Sequence, residues 1–247
     1  MDESPVRFRF VRFRDWEARH VAGIILLIMV FVGSIGYNHL HKRLDFTAIV
    51  SDFYANVATE LGSIVITVIV IDGLNRRRSL AQEKETLTLQ MGSPHQGFAV
   101  EAARMLRVRG WLIDGTLRKI NLFQADLQGA VLAMGDLQMA FLVETNLQDA
   151  DLRDINLQGG YLGESNLQAA NLQGANLRET NMVSAKLQGA NLRGANLQKA
   201  RLGGAILTGA DLRGAIFDRE TVLPDKSYWT EDTDLSRFTH PDDHTSS

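Results

Sequence analysis

Apolar residues in the C-terminal half of this chain recur with a period of five. Steps of five residues from Leu112 to Val222 visit 23 positions, of which 20 are Leu. The residue two places before each of these positions is usually Ala. An α-helix repeats every 3.6 residues and a β-strand every two, so neither element produces this period. A period held over about 110 residues predicts a solenoid in which successive units stack.

The repeat unit, for example Asn171-Leu172-Gln173-Gly174-Ala175, resembles that of the pentapeptide-repeat family, A(D/N)LXX. The resemblance covers residues 111–223 and implies a right-handed quadrilateral β-helix with four pentapeptides in each coil. The Leu and the small residue point inward, and the other three residues point outward. Residues 74–117 also resemble the N-terminal region of membrane-anchored bacterial proteins of this family.

Two apolar segments precede the repeat and predict a membrane anchor over residues 21–74. The first, about 21–40, carries no charge between Val21 and Tyr37 and approaches the ~20 residues that span a bilayer. The second, about 57–74, has an apolar centre between Glu60 and Asp72. These carboxylates are candidate intramembrane polar residues for an ion or proton path, although positions near the ends of a span also fit the headgroup region. A buried helical hairpin in a soluble domain is the alternative interpretation.

Basic residues predict the orientation of this anchor. Residues 1–20 carry five Arg, and Arg76, Arg77 and Arg78 follow the second segment, whereas the loop between the two segments holds only Lys42 and Arg43. The positive-inside rule then places both termini and the β-helix in the cytoplasm. The sequence thus predicts a multi-pass protein of the bacterial inner membrane, with residues 1–20 as a cytoplasmic basic flank and the lipid bilayer as one partner.

The segments that flank the repeat are expected to cover its ends. Residues 75–110 predict a stalk and a capping helix, with Ser93 as N-cap and an apolar stripe facing the first coil. That stripe comprises Phe98, Ala102, Met105 and Leu106. Residues 224–247 predict a C-terminal cap followed by a disordered tail, with Trp229 and Phe238 folded over the last coil.

The composition argues against catalysis. The chain has no Cys, and residues 111–223 contain no His, so the repeat offers no nucleophile–base pair. His39 and His41 lie near Asp45, but two His without a fixed third ligand are a weak metal signal. We therefore expect no enzymatic activity, no cofactor and no metal site.

One face of the predicted β-helix differs from the other three. Residues 20 positions apart should stack on the same face, and three faces are mainly polar. The fourth carries a set of apolar side chains that forms the candidate interaction face: Phe123, Phe141, Val143, Tyr161 and Val183. An exposed apolar strip favours a protein partner or self-association into a homo-oligomer. Contact with the cap or tail of the same chain is an alternative, and so is the absence of any role.

Charge separates the functional alternatives. Some pentapeptide-repeat proteins imitate DNA and bind type II topoisomerases, which requires a strongly acidic rod. Residues 111–223 carry 12 acidic and 10 basic residues, a nearly balanced charge. Both the imitation of DNA and the binding of nucleic acid are therefore disfavoured. The sequence predicts a non-catalytic, membrane-tethered scaffold or protein-docking module. A regulatory subunit of a membrane transport or ion-handling system is the alternative.

Overall fold

A computed structural model describes residues 27–30, 47, 50, 51 and 57–240 of the chain. The chain divides into two compact units, residues 1–79 and 80–247, which are described separately. Residues 27–30 are helical, and the rest of the first predicted span lies outside the described residues. Helix α1 (Ala58–Met91) contains the second predicted span.

The second predicted span is not confirmed. Within the described part of the chain, none of the helices is both long enough and apolar enough to cross a membrane. The physical reason lies in the charges of α1: only 11 residues separate Glu60 from Asp72, and three Arg follow from Arg76. An uncharged stretch of this length falls short of the ~20 residues that a span requires.

Residues 121–216 form the predicted β-helix with 20 residues in each coil. Isolated parallel bridges join every fifth residue to its counterpart 20 positions later, from Asn121 with Phe141 to Asn196 with Ile216. At each bridge the backbone amides bond to the next coil; the Leu122 N–H, for example, donates to the Phe141 carbonyl at 2.7 Å. Each coil is therefore attached to its neighbours along all four faces.

The corners of the coil explain where Gly occurs. The Ala125 N–H donates to the Leu122 carbonyl at 3.0 Å, which closes a turn around Phe123 and Gln124. From Leu117 to Leu212, the residue two after each inward Leu or Met has positive φ, as at Gln124 (55°) and Gly174 (69°). This geometry matches a type II turn, whose third residue favours Gly.

The core consists of inward Leu columns with small residues between them. One column comprises Leu122, Leu142, Leu162, Met182 and Leu202, all at most 1% exposed. The small residue two places before each inward Leu occupies what we call the small site. At the small site held by Thr145, the buried hydroxyl donates to the Leu122 carbonyl at 2.6 Å and is thereby satisfied. The large Ile155 is accommodated because Gly135 occupies the equivalent site one coil earlier.

The period of five slips by one residue near the C-terminal end, so the prediction of Val222 as an inward position was wrong. Arg201 pairs with Val222, 21 positions later, and Leu223 is the buried residue, 1% exposed. The extra residue lies in a turn in which the Thr221 N–H donates to the Asp218 carbonyl at 2.9 Å. Thr221 then fills the small site of this last coil and is fully buried.

Helix α2 (Gln96–Val108) covers the N-terminal end of the solenoid, and its buried face differs from the predicted stripe. The buried residues are Ala99, Ala102, Ala103 and Leu106. Phe98 is 65% exposed, and Met105 is only partly buried. Small Ala side chains let the helix approach the coil closely, which a Phe would prevent. The N-cap is His95, whose N–H donates to the Ser93 hydroxyl oxygen at 3.1 Å.

The C-terminal end is covered by residues 224–240. Helix α3 (Ser236–Thr239) buries Phe238 against the core. Trp229 is partly buried and stacks on Phe217, with ring centroids 5.9 Å apart. The Thr239 carbonyl accepts a hydrogen bond from Gly209 at 2.6 Å, which satisfies a backbone amide of the last coil.

Candidate functional site: an apolar strip on one face of the solenoid

The candidate site is the apolar strip, defined as Phe123, Phe141, Val143, Tyr161 and Val183. Its members occupy two columns on one face: the residue before the inward Leu or Met (Phe141 and Tyr161) and the residue after it. Both columns point outward because the inward position between them is taken by the core residue. Four of the five side chains are exposed, between 38% and 47%, and Val143 is half-buried.

Phe141 and Tyr161 form the centre of the apolar strip. They pair as a parallel bridge, and their rings stack with centroids 4.7 Å apart and an angle of 28° between planes. Stacking on a fixed backbone ladder restricts both side chains before any partner arrives. The pair therefore presents a rigid aromatic surface to solvent.

Met139, at the corner before this face, is an exposed apolar residue that the predicted interaction face did not include. Met139 is 48% exposed at the position two after Leu137. Its Sδ lies 2.6 Å from the place where a Cβ of Gly159 would stand, so the side chain extends over the next coil in the space that this Gly leaves open. The signal was present in the repeat, since a Met at an outward corner position has no place in the core.

The corner after this face is acidic. Glu144 accepts a hydrogen bond from Gln124 Nε2 at 2.9 Å, and Glu164 follows one coil later. In the described part of the chain, no ion pair engages either carboxylate. The apolar strip is thus bordered by two carboxylates that no described residue pairs with.

The C-terminal cap approaches only the far end of this face. Gly203 is buried, and the Lys226 side chain lies 3.6 Å from the place where its Cβ would stand. Tyr161 lies two coils away from Gly203 and Phe141 three coils away, and both stay exposed. Among the described residues, therefore, no cap residue covers the centre of the strip.

The opposite face contrasts with the apolar strip because its charges are paired. The Asp151 carboxylate binds Arg153 at 2.7 Å, and Asp211 pairs with Arg213. The Arg213 hydrogen bond lowers the pKa of Asp211 to about 2. Paired, solvated side chains of this kind contribute little to stability.

The two candidate intramembrane carboxylates lie on α1, separate from the strip in sequence. Glu60 is exposed in the first turn of the helix. Asp72 forms an ion pair with Arg76 at 3.4 Å, one turn further along. A pairing across one turn gives Asp72 a local structural role. Among the described residues, no group of three or more His, Cys, Asp or Glu is placed to hold a metal ion.

Comparison with known proteins identifies the repeat. The pentapeptide-repeat family model matches eight copies, over residues 120–159, 145–183, 161–198 and 190–219. The resemblance to this family is thereby confirmed for the repeat region. No curated protein matches the chain.

Several solved structures of pentapeptide repeat proteins are similar to this chain. One from the cyanobacterium Cyanothece 51142 is 42% identical, with a TM-score of 0.32, over 36% of this chain and 64% of that one. One from Nostoc Pcc 7120 is 28% identical, with a TM-score of 0.33, over 56% and 90%. One from the Arabidopsis thaliana thylakoid lumen is 24% identical, with a TM-score of 0.31, over 48% and 73%. The chain thus spans less than two thirds of the Cyanothece protein.

Proposed function

We propose, for a chain whose residues 120–219 are pentapeptide repeats, that it is a non-catalytic docking module held at a membrane. The apolar strip binds one protein partner, and the N-terminal segments attach the module to the bilayer. The single observation that carries the docking proposal is the stacked, exposed Phe141–Tyr161 pair on a rigid face.

The energetics of the strip support a binding role. Large aromatic side chains contribute most of the free energy at protein interfaces when a partner removes them from water. Phe141 and Tyr161 are fixed by the coil and by each other, so binding costs little additional side-chain entropy. Without a partner, the exposed area of the two rings contributes no burial free energy.

The charges beside the strip indicate the chemistry of the partner. Glu144 and Glu164 border the aromatic pair, and no ion pair engages them within the described residues. A partner segment that places Lys or Arg beside apolar side chains would neutralise these carboxylates while it covers the rings. A cation over the Tyr161 ring would add a cation–π contact. The proposed partner is therefore a protein segment that is both basic and apolar.

The attachment to a bilayer is supported by the exposed surface of α1. Val65, Ile66 and Ile69 are 48–65% exposed, and a run of Arg follows at residues 76–78. Apolar side chains followed by cations suit the boundary between acyl chains and headgroups. We place the protein at the bacterial inner membrane with the repeat in the cytoplasm. A reporter fused after Ser247 that is active outside the cytoplasm would refute this orientation.

Site-specific photocrosslinking in cells tests the docking proposal. A photoreactive amino acid replaces Phe123 or Tyr161 on the strip, or Arg153 or Arg193 as matched controls on the opposite face. We expect one discrete adduct from both strip positions and none of that mass from the controls. The adduct should also disappear when Glu144→Lys is added. The same adducts from all four positions, or none from the strip, would contradict the proposal.

A further inference from the structure

In the first unit, the described part of α1 carries exposed apolar side chains. Its exposed large apolar residues are Val65, Ile66, Ile69, Val70, Ile71 and Leu74. At 100° per residue they occupy more than one side of the helix. The Thr67 hydroxyl donates to the Ser63 carbonyl at 2.8 Å, so this polar side chain is satisfied within the helix. A helix segment with apolar side chains on several sides is suited to an apolar environment such as lipid.

Positive charge begins directly after this apolar segment. Asp72 and Arg76 neutralise each other as an ion pair. Arg77 and Arg78 are exposed, and neither forms an ion pair with any residue that the structure describes. Successive residues point about 100° apart, so the two guanidinium groups leave the helix in different directions at nearly the same height. Beyond the apolar segment, α1 therefore carries two cations that no described residue neutralises.

The apolar segment is too short to cross a bilayer, so we place it at the acyl–headgroup boundary of one leaflet. The 11 residues between Glu60 and Asp72 rise about 16 Å at ~1.5 Å each, roughly half of the ~30 Å hydrocarbon core. With this segment at that boundary, Glu60 stays within reach of the headgroups, and Arg77 and Arg78 lie among the headgroups of the same leaflet. Guanidinium groups bind phosphate oxygens through paired N–H donors, and they gain further from a negatively charged surface.

We propose that residues 61–78 recognise an anionic lipid surface, with Arg77 and Arg78 bound to headgroup phosphates. The inference rests on the membrane attachment of the proposed function and adds the lipid class to it. It follows that anionic lipid strengthens the attachment beyond apolar insertion alone.

Vesicle flotation of the purified full-length chain tests this inference. Two vesicle compositions are compared: phosphatidylcholine alone, and phosphatidylcholine with one third phosphatidylglycerol. The variant Arg77→Gln/Arg78→Gln loses two charges at the proposed site. Lys186→Gln/Arg219→Gln is the matched control, because it removes the same charge from exposed positions of the repeat. Arg77→Lys/Arg78→Lys keeps the charge and tests the guanidinium geometry.

The expected result is stronger flotation with anionic vesicles than with phosphatidylcholine alone. Loss of both Arg should weaken binding to anionic vesicles about 30-fold, while the matched control stays within about 2-fold of the wild type. The Lys variant should retain most of the binding. Equal binding to both vesicle types, or no effect of Arg77→Gln/Arg78→Gln, would overturn the lipid inference and leave membrane attachment standing. Absence of flotation with either vesicle type would overturn both.

Discussion

Replacement of Leu162 by Ala should destabilise the solenoid by about 4 kcal/mol. Leu162 is fully buried in the middle of an inward column, between Leu142 and Met182. Loss of its outer carbon atoms removes about 2.4 kcal/mol of transfer free energy, at ~0.8 kcal/mol for each methylene. The remaining ~1–2 kcal/mol comes from the cavity, which the coil cannot close. The backbone bonds to both neighbouring coils, such as the Leu162 N–H to the Asn181 carbonyl at 2.7 Å, hold the walls in place.

Urea unfolding of the full-length chain, followed by far-UV circular dichroism, measures this loss. Tyr161→Ala is the matched control, because its side chain is adjacent in sequence but 41% exposed, and it should cost about 1 kcal/mol or less. Leu162→Met should also be mild, since Met182 already occupies the same column one coil later. A cost below about 1 kcal/mol for Leu162→Ala, or a larger cost for Tyr161→Ala, would refute this description of the core.

Two further predictions concern charge and the cap. Because the folded-state pKa of Asp211 is about 2, below its ordinary 3.8, its contribution to stability is present above about pH 4 and is lost as the pH falls towards 2. Asp211→Asn should therefore lose less thermal stability than the wild type between pH 5 and pH 2, and a carboxyl titration midpoint near 3.8 would contradict the assignment. In α2, Leu106→Ala should cost about 2–5 kcal/mol and Phe98→Ala less than about 1 kcal/mol in urea unfolding, since Leu106 is fully buried and Phe98 is 65% exposed. A larger cost for Phe98→Ala than for Leu106→Ala would contradict the buried face described for α2.

The β-helix could be predicted because its core positions, its small positions and its coil length all follow the same five-residue period. The inward Leu, the small residue before it and the 20-residue coil all follow from one pattern, and the bridges from Asn121 onward match it. The slip before Leu223 could not be read from the period, because Val222 is also apolar. Only the turn at Asp218–Thr221 decides which of the two residues points inward.

The cap and the strip show where sequence patterns carry less information. In α2, a Phe at helical spacing resembled a core residue, but the coil end accepts only small side chains and one Leu. Positions 20 apart identified the strip because the coil length fixes which residues share a face. The repeat marks Met139 as an outward corner residue, but the space that Gly159 leaves for its side chain is visible only between coils.

Thiol accessibility in native membranes tests the docking role of the apolar strip most directly. The chain contains no Cys, so Phe123→Cys and Val183→Cys on the strip, and Arg153→Cys and Arg193→Cys on the opposite face, each introduce a single thiol. The rate of maleimide labelling is compared between native membranes and the purified chain. A bound partner should slow labelling of the two strip thiols at least 10-fold in membranes and leave the two control thiols unchanged. An unchanged rate for the strip thiols in membranes, or equal slowing of strip and control thiols, would contradict the docking role.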